Sequence, residues 1–238
     1  MSAGRLDVFD DGAALARGVA HWLAERAIEA DPPVRIALSG GSTPKALFEV
    51  LAGSCYRDNF PWAKVEFYWG DERFVPHDHP DSNYRMAREA FLDAVPIPAE
   101  RIHPIPTDGT PEDAARRYEA ELKRAYGKAE FDPARPLFAV QLLGLGPDGH
   151  TASLLPGAEV LGERTRWVAP VAHGRPEARI TLTYPALESS RSTAFLVTGA
   201  AKAAILKAVR DGGSDVPAAR LRPWGELVWF ADRAAAGR

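Results

Sequence analysis

A segment rich in glycine and hydroxyl side chains, Ser39-Gly-Gly-Ser-Thr-Pro44, follows a short apolar run and precedes a stretch with helical periodicity. Glycine lets the backbone approach a ligand closely, and the first turn of a helix offers unpaired N–H groups and the positive end of its dipole. This combination favours a phosphate or another anion, and a tight turn that only caps the helix is the alternative. The segment is not a Walker A loop, because no Gly-Lys-Ser/Thr follows. The residues that we expect to bind the anion are Ser39, Gly40, Gly41, Ser42 and Thr43.

A second glycine-rich segment, Gly144-Leu-Gly-Pro-Asp-Gly-His150, presents Asp148 and His150 two residues apart. With an unperturbed pKa of about 6.5, histidine is the natural general base near neutral pH, and a nearby carboxylate would fix its tautomer. The glycines also match the dinucleotide spacing Gly-x-Gly-x-x-Gly. However, Pro156-Gly157 would end the helix which that motif requires, and no later strand ends in the ribose-binding acid. We therefore interpret the segment as a loop that carries a general base, with a plain surface turn as the alternative.

Charged residues follow two further apolar runs, in the segments Gly70-Asp-Glu-Arg73 and Gly199-Ala-Ala-Lys202. A guanidinium binds phosphate or carboxylate oxygens in a bidentate manner, so Arg73 is a candidate for an anionic group. Asp71 or Glu72 could instead pair with that guanidinium. A solvated turn and an exposed lysine on a helix are the alternatives at the two places.

The hydropathy pattern places all four segments at the ends of predicted strands. Most of the apolar runs lack strict alternation, which favours a mostly parallel sheet covered by helices on both faces. We predict one α/β domain over residues 1–238, doubly wound and Rossmann-like. Ligands of such sheets bind beyond the carboxyl ends of the strands, so the four segments should form one site. The predicted strands are 34–39, 65–69, 137–143, 179–183, 193–198 and 227–230, and the predicted helices are 11–30, 84–92, 111–126, 184–190, 200–209 and one that begins at Thr43-Pro44.

Composition excludes several other classes of protein. The chain has 238 residues, 46% of them hydrophobic and 26% charged, with a net charge of −3, which removes a bulk electrostatic case for nucleic acid. No apolar run is long enough to span a membrane, and Cys55 alone cannot form an intrachain disulfide. His77 and His79 lack a third ligand for a metal. We expect a cytoplasmic protein, a monomer or weak homodimer, that binds no metal, membrane or nucleic acid.

In combination and in this order, the segments resemble the 6-phosphogluconolactonase family, within the glucosamine/galactosamine-6-phosphate isomerase superfamily. The resemblance runs from about residue 8 to residue 231, which is nearly the whole chain. The motifs that carry it are Ser39-Gly-Gly-Ser-Thr-Pro44, Trp69-Gly-Asp-Glu-Arg-Phe-Val75, Asp81-Ser-Asn-Tyr84, Gly144-Leu-Gly-Pro-Asp-Gly-His-Thr-Ala-Ser-Leu-Leu-Pro156 and Arg179-Ile-Thr-Leu-Thr183.

The resemblance implies hydrolysis of 6-phospho-D-glucono-1,5-lactone, a sugar-phosphate lactone, without a cofactor. His150 would be the general base on water, Asp148 would orient it, and Arg73 would hold the lactone or its oxyanion. The groups implied to bind the rest of the substrate are the 40–43 amides, the hydroxyls of Ser39, Ser42 and Thr43, and the side chains of Asp71, Arg179 and Lys202.

Two other functions share these motifs in part. Glucosamine-6-phosphate deaminase is similar in fold and loops, but a glutamate is expected five residues after the histidine, where this chain has Leu155. A sugar-phosphate sensor on the same fold would keep the 39–43 segment, yet it has no need for Asp148 and His150 together. Both considerations favour the lactonase.

Overall fold

Residues 4–172 and 174–238 are described by a computed structural model, in which a parallel sheet of seven strands lies beside a smaller antiparallel sheet of three. The strands are β1 (Arg5–Phe9), β2 (Val34–Leu38), β3 (Val65–Trp69), β4 (Asp71–Arg73), β5 (Ile102–His103), β6 (Phe138–Gly144), β7 (Val168–Val171), β8 (Arg179–Leu182), β9 (Ser190–Val197) and β10 (Glu226–Asp232). The helices are α1 (Gly12–Glu29), α2 (Ser42–Ala52), α3 (Ser54–Arg57), α4 (Asn83–Ala90), α5 (Pro111–Tyr126), α6 (Tyr184–Glu188), α7 (Ala203–Arg210) and α8 (Pro217–Arg220).

The order of the strands in the large sheet is β1-β10-β9-β6-β2-β3-β5, and every neighbouring pair is parallel. From β2 the chain moves outward to β3 and β5, then returns to β6 on the other side of β2 and continues to β9 and β10. The direction of winding therefore reverses between β2 and β6, which is where open α/β sheets form a ligand crevice. The predicted doubly wound, mostly parallel α/β fold is confirmed.

Burial of apolar side chains on the sheet explains why these segments form their elements. The strand β2 is buried at four of its five positions, as its continuous apolar run predicts. The helix α1 begins after Asp11, whose carboxylate accepts a hydrogen bond from the Ala14 amide at 2.7 Å. It then packs on the sheet, where the Trp22 ring meets Phe230 edge-on at 5.3 Å. Asp11 is thus the N-cap of α1.

The antiparallel sheet, in the order β4-β8-β7, was not predicted. Residues 179–182 form a strand as expected, but β8 lies in this second sheet instead of the large one. Residues 71–73, for which a solvated turn was the alternative, form β4 and pair with 179–181. A strand of three or four residues carries no local signal for its partner, because that partner is set by tertiary packing.

Two helices begin differently from the prediction. The helix α2 starts at Ser42 and has Pro44 in its third position, which costs little because the first N–H groups of a helix have no intrahelical partner. The predicted helix 200–209 is divided into a 3₁₀ turn, Ala200–Lys202, and α7.

Replacing Phe138 by Ala should lower the free energy of unfolding by about 3–5 kcal/mol, because the ring on β6 is fully buried and its loss leaves a cavity. Ile28→Ala is the matched control, since Ile28 is 59% exposed and should change stability by less than about 0.5 kcal/mol. Urea unfolding followed by circular dichroism measures both. Equal effects of the two substitutions would contradict this packing.

Candidate active site

A cavity of about 260 Å³ opens at the carboxyl ends of β9, β6, β2 and β3. These four strands are adjacent and parallel, so the segments that follow them meet at one edge of the sheet. Asp148 does not line the cavity but contacts a residue that does. The other predicted site residues line it, namely Ser39, Gly40, Gly41, Ser42, Thr43, Asp71, Arg73, His150, Arg179 and Lys202.

The segment after β2 directs the first turn of α2 toward the cavity. Gly41 is the N-cap, and its carbonyl accepts the first hydrogen bond of the helix from Lys45 N at 3.1 Å. The amides of Ser42 and Thr43 precede that bond and are left for a ligand. The Thr43 hydroxyl lies 2.7 Å from that of Thr198, a cavity residue after β9 that the sequence analysis missed. This contact ties two of the site loops together.

Asn83 is a second cavity residue to which the sequence analysis gave no role. Its side chain is 3% exposed, and Nδ2 donates to the carbonyl of Asp71 at 2.9 Å. A Cβ at position 40 would lie 1.9 Å from Asn83 Oδ1, so only glycine fits there. In the sequence, the feature that marks the place of Asn83 is Ser82, whose hydroxyl caps α4 by accepting from Arg85 N. A helix cap predicts where the helix begins but not what the side chain of its first residue contacts.

Glu72 explains how α4 is held beside the cavity. Its carboxylate is 1% exposed and accepts hydrogen bonds from the amides of Arg73, Asn83 and Tyr84, at 2.7–2.8 Å, and from the Ser82 hydroxyl at 3.0 Å. Burial raises the pKa of Glu72, and these four donors oppose that rise. Glu72 therefore joins β4 to the start of α4 and does not line the cavity.

The suggested pairing of the Arg73 guanidinium with Asp71 or Glu72 is wrong. Asp71 Oδ2 accepts from the Ser153 hydroxyl at 2.6 Å, and the Glu72 carboxylate accepts from the Asn83 amide at the start of α4. The guanidinium instead donates through Nη1 to the carbonyl of Asp81 at 2.6 Å. This contact holds the side chain in place, and the guanidinium forms no ion pair within 4 Å with an acid among residues 4–172 and 174–238.

Arg73 lies directly opposite Arg179 in the pairing of β4 with β8, and both side chains line the cavity. Arg179 donates to Glu177 at 2.7 Å. Burial alone would raise the pKa of Glu177, but the Arg179 hydrogen bond and the charges of both arginines lower it. Two positive charges at paired positions repel each other. The single carboxylate of Glu177 offsets only one of them, so the patch keeps a net positive charge that favours an anion.

The loop after β6 holds His150 against Asp148. Nδ1 of the ring lies 2.5 Å from Asp148 Oδ1, and Oδ2 of the same carboxylate lies 3.6 Å from the Arg175 guanidinium. A carboxylate only accepts, so Nδ1 carries the proton and Nε2 is the basic nitrogen. Partial burial alone would raise the pKa of Asp148, but the hydrogen bonds from the His150 ring and amide lower it.

This loop folds on itself and does not continue into a helix. The Gly146 amide donates to the His150 carbonyl at 2.8 Å, and the Gly149 amide donates to the Gly146 carbonyl at 3.0 Å. The next helical turn, a 3₁₀ turn, begins only at Glu159. A dinucleotide pyrophosphate therefore has no helix start at this loop, as the sequence indicated.

Lys202 ends the 3₁₀ turn after β9 and lines the cavity. Partial burial lowers the pKa of its ammonium, and the charge of Asp148 opposes that change. Among the residues that the structure describes, Lys202 forms no ion pair within 4 Å. It is therefore a cation available to a ligand.

Two classes of site are not found within the described ranges 4–172 and 174–238. His77 Nε2 lies 2.8 Å from the Ile105 carbonyl, and His79 Nδ1 accepts from the Asp81 amide at 3.1 Å, so the two rings have separate partners. No group of three acidic, histidine or cysteine side chains there is placed to hold a metal. None of the helices in these ranges has the length and apolarity needed to cross a bilayer.

Comparison with known proteins assigns the chain to a family. The model of glucosamine-6-phosphate isomerases/6-phosphogluconolactonase matches residues 10–229. A 6-phosphogluconolactonase of Nostoc sp. strain PCC 7120 is 44% identical over 217 residues, 89% of this chain and 87% of that protein. One of Synechocystis sp. strain PCC 6803 is 46% identical over 205 residues, 84% of this chain and 82% of that protein. The chain belongs to the 6-phosphogluconolactonase family.

Solved structures of the family agree with this assignment. The 6-phosphogluconolactonase of Trypanosoma cruzi has a TM-score of 0.87 at 28% identity, covering 100% of this chain and 98% of that one. Leu155, which stands where a deaminase is expected to carry glutamate, is 3% exposed and belongs to the hydrophobic core. A buried leucine cannot relay protons, so this position fits the lactonase branch of the family.

Replacing Gly40 by Ala should destabilise the protein by about 1–3 kcal/mol, because the added Cβ forces Asn83 out of its buried place. Gly162→Ala is the control, since a Cβ at position 162 meets no atom within 4 Å. Urea unfolding curves measure the difference. Equal stability of the two variants would show that the loop after β2 and α4 are not in close contact.

Proposed function

We propose that this chain hydrolyses 6-phospho-D-glucono-1,5-lactone to 6-phospho-D-gluconate, a step of the pentose phosphate pathway, by His150-assisted attack of water on the lactone carbonyl. One observation carries the proposal. His150, with Nδ1 held by Asp148 at 2.5 Å, lines the same cavity as the 39–43 segment and Lys202. A general base thus shares one space with groups suited to a phosphate. The names of the cyanobacterial relatives support the same reaction.

A lactone is an activated ester, so its hydrolysis needs a base and stabilisation of the developing negative charge, and no covalent nucleophile. Nε2 of His150 takes a proton from water as the water oxygen bonds to C1, which forms a tetrahedral oxyanion. The bond between C1 and the ring oxygen then breaks, and the imidazolium returns its proton to the departing ring oxygen. The products are a carboxylic acid, which ionises, and a hydroxyl group.

The contacts of Asp148 support its role in this cycle. A carboxylate beside Nδ1 fixes the tautomer that leaves Nε2 basic, and it stabilises the imidazolium formed when water is deprotonated. Arg175 lies 3.6 Å from the other carboxylate oxygen, and the hydrogen bonds from His150 favour the ionised form of Asp148. The arrangement matches the roles of histidine and aspartate in hydrolases that use a serine, with water in place of the serine.

The cationic groups of the cavity suit the phosphate at one end of the substrate and the negative charge that develops on the lactone carbonyl at the other end. We assign the 6-phosphate to the amides and hydroxyls of the 39–43 segment and to Lys202, with Arg179 contributing. Arg73 then holds the lactone carbonyl or its oxyanion, because the Asp81 carbonyl anchors its guanidinium and no carboxylate of the described residues forms an ion pair with it within 4 Å. Asp71 uses Oδ2 for Ser153 and keeps Oδ1 for a sugar hydroxyl.

Binding of the phosphate, away from the ester, makes the attack productive. A substrate fixed at one end presents C1 to His150 in a limited set of orientations. Much of the entropy cost of orienting the reacting groups is therefore met on binding, before the chemical step. Binding energy from the non-reacting phosphate thereby lowers the barrier at the carbonyl. The 39–43 segment follows β2 and the His150 loop follows β6, so these two groups meet at the crevice between the two strands.

His150→Asn should lower kcat by about 100-fold or more, the usual scale for loss of a general base, with the protein still folded. His21→Asn is the control, because His21 lies on α1 with its side chain 73% exposed. The assay couples the formation of 6-phospho-D-gluconate from fresh lactone to a dehydrogenase and subtracts spontaneous hydrolysis. An unchanged kcat would contradict the assignment of the base.

Ammonia release from glucosamine 6-phosphate by the wild type, without lactone hydrolysis, would contradict the proposed reaction.

A further inference from the structure

A buried carboxylate outside the cavity is joined to the loop that carries Lys202. Asp232 is the last residue of β10 and is 8% exposed. Both of its oxygens accept from the Gly199 amide, at 3.0 and 3.1 Å, and Oδ1 also accepts from Ala235 N at 2.7 Å. Hydrogen bonds from N–H groups to a carboxylate are stronger than those between neutral groups. Asp232 therefore restrains the start of the loop after β9.

The Gly199 backbone determines where Lys202 lies. Its φ of 91° is accessible to glycine and strained for other residues, so the chain turns sharply at this point. The Gly199 carbonyl then accepts from Lys202 N at 3.0 Å, which closes the 3₁₀ turn. Fixing the Gly199 amide thus fixes a short turn that ends at the cavity lysine.

The same restraint acts on the residue before Gly199. In the parallel pairing of β9 with β10, Val197 lies opposite Ala231, so Thr198 and Asp232 follow at neighbouring places on the sheet edge. The Thr198 hydroxyl contacts that of Thr43, in the segment that we assign to the phosphate. Asp232 is consequently connected to the anion site through both Thr198 and Lys202.

We propose that Asp232 is a positioning residue for the sugar phosphate: by holding the Gly199 amide, its carboxylate keeps Thr198 and Lys202 against the phosphate-binding segment. The inference rests on the proposed function, since it concerns how that substrate is bound. Asp232 touches no group in the cavity, so its effect passes through the backbone of the loop.

A purely electrostatic effect would have the opposite sign. If Asp232 acted only by its negative charge, removing that charge would strengthen the binding of an anionic substrate. If it acts as a restraint, removing the charge loosens the loop and weakens binding. The two explanations therefore predict changes of KM in opposite directions.

Asp232→Asn, which keeps one acceptor oxygen, should raise KM for the lactone about tenfold and leave kcat within about twofold, because the restraint serves binding and not the chemical step. Asp10→Asn is the matched control, because Asp10 pairs with Arg233 at the same edge of the sheet, is 77% exposed and does not touch Gly199. Far-UV circular dichroism verifies folding. If the Asn variant does not fold, Asp232→Ser replaces it in the same measurements.

A double-mutant cycle with Lys202→Ala tests the connection. In that background Asp232→Asn should add less than about a threefold further increase in KM, because the cation that it positions is gone. Additive effects, an unchanged KM or a lowered KM would overturn the inference. Wild-type protein without lactonase activity would contradict the proposed function, whereas active wild type with an unaffected Asp232→Asn variant would contradict this inference alone.

Discussion

The reversal of winding between β2 and β6 is the constraint on which the site depends. The strands β9, β6, β2 and β3 are adjacent and parallel, so their carboxyl ends form one edge of the sheet. The segments that follow them therefore meet at that edge. Residues more than 100 positions apart in the chain, such as Thr43 and Thr198, therefore come within 2.7 Å. The apolar core packed beneath this edge fixes where each of these loops begins.

Buried carboxylates that bind backbone amides supply the second level of organisation. Glu72 holds the start of α4, which places Asn83 against Gly40, and Asp232 holds the loop that ends at Lys202. Neither carboxylate lines the cavity. These two carboxylates bind backbone N–H groups behind the site, whereas the side chains of Arg73, Arg179 and Lys202 line the cavity. This separation keeps the cavity suited to an anion in a protein whose net charge is −3.

The sequence predicted the site better than it predicted the small sheet. The 39–43 and 144–150 segments are local combinations of glycine, hydroxyl, acid and imidazole groups, and their positions at strand ends follow from hydropathy. The roles of Glu72 and Asn83 depend on β4 pairing with β8, which joins residues over 100 positions apart and has no local pattern. Arg73 was predicted as a site residue and lines the cavity, but its contact with the Asp81 carbonyl depends on tertiary geometry.

A crystal structure with bound 6-phospho-D-gluconate, the product of the proposed reaction, tests the central claim most directly. The phosphate should lie within hydrogen-bond distance of the Ser42 and Thr43 amides and of the Lys202 ammonium, with the C1 carboxylate beside Nε2 of His150. A phosphate bound at His150, or a sugar acid lying outside the β2–β6 crevice, would contradict it.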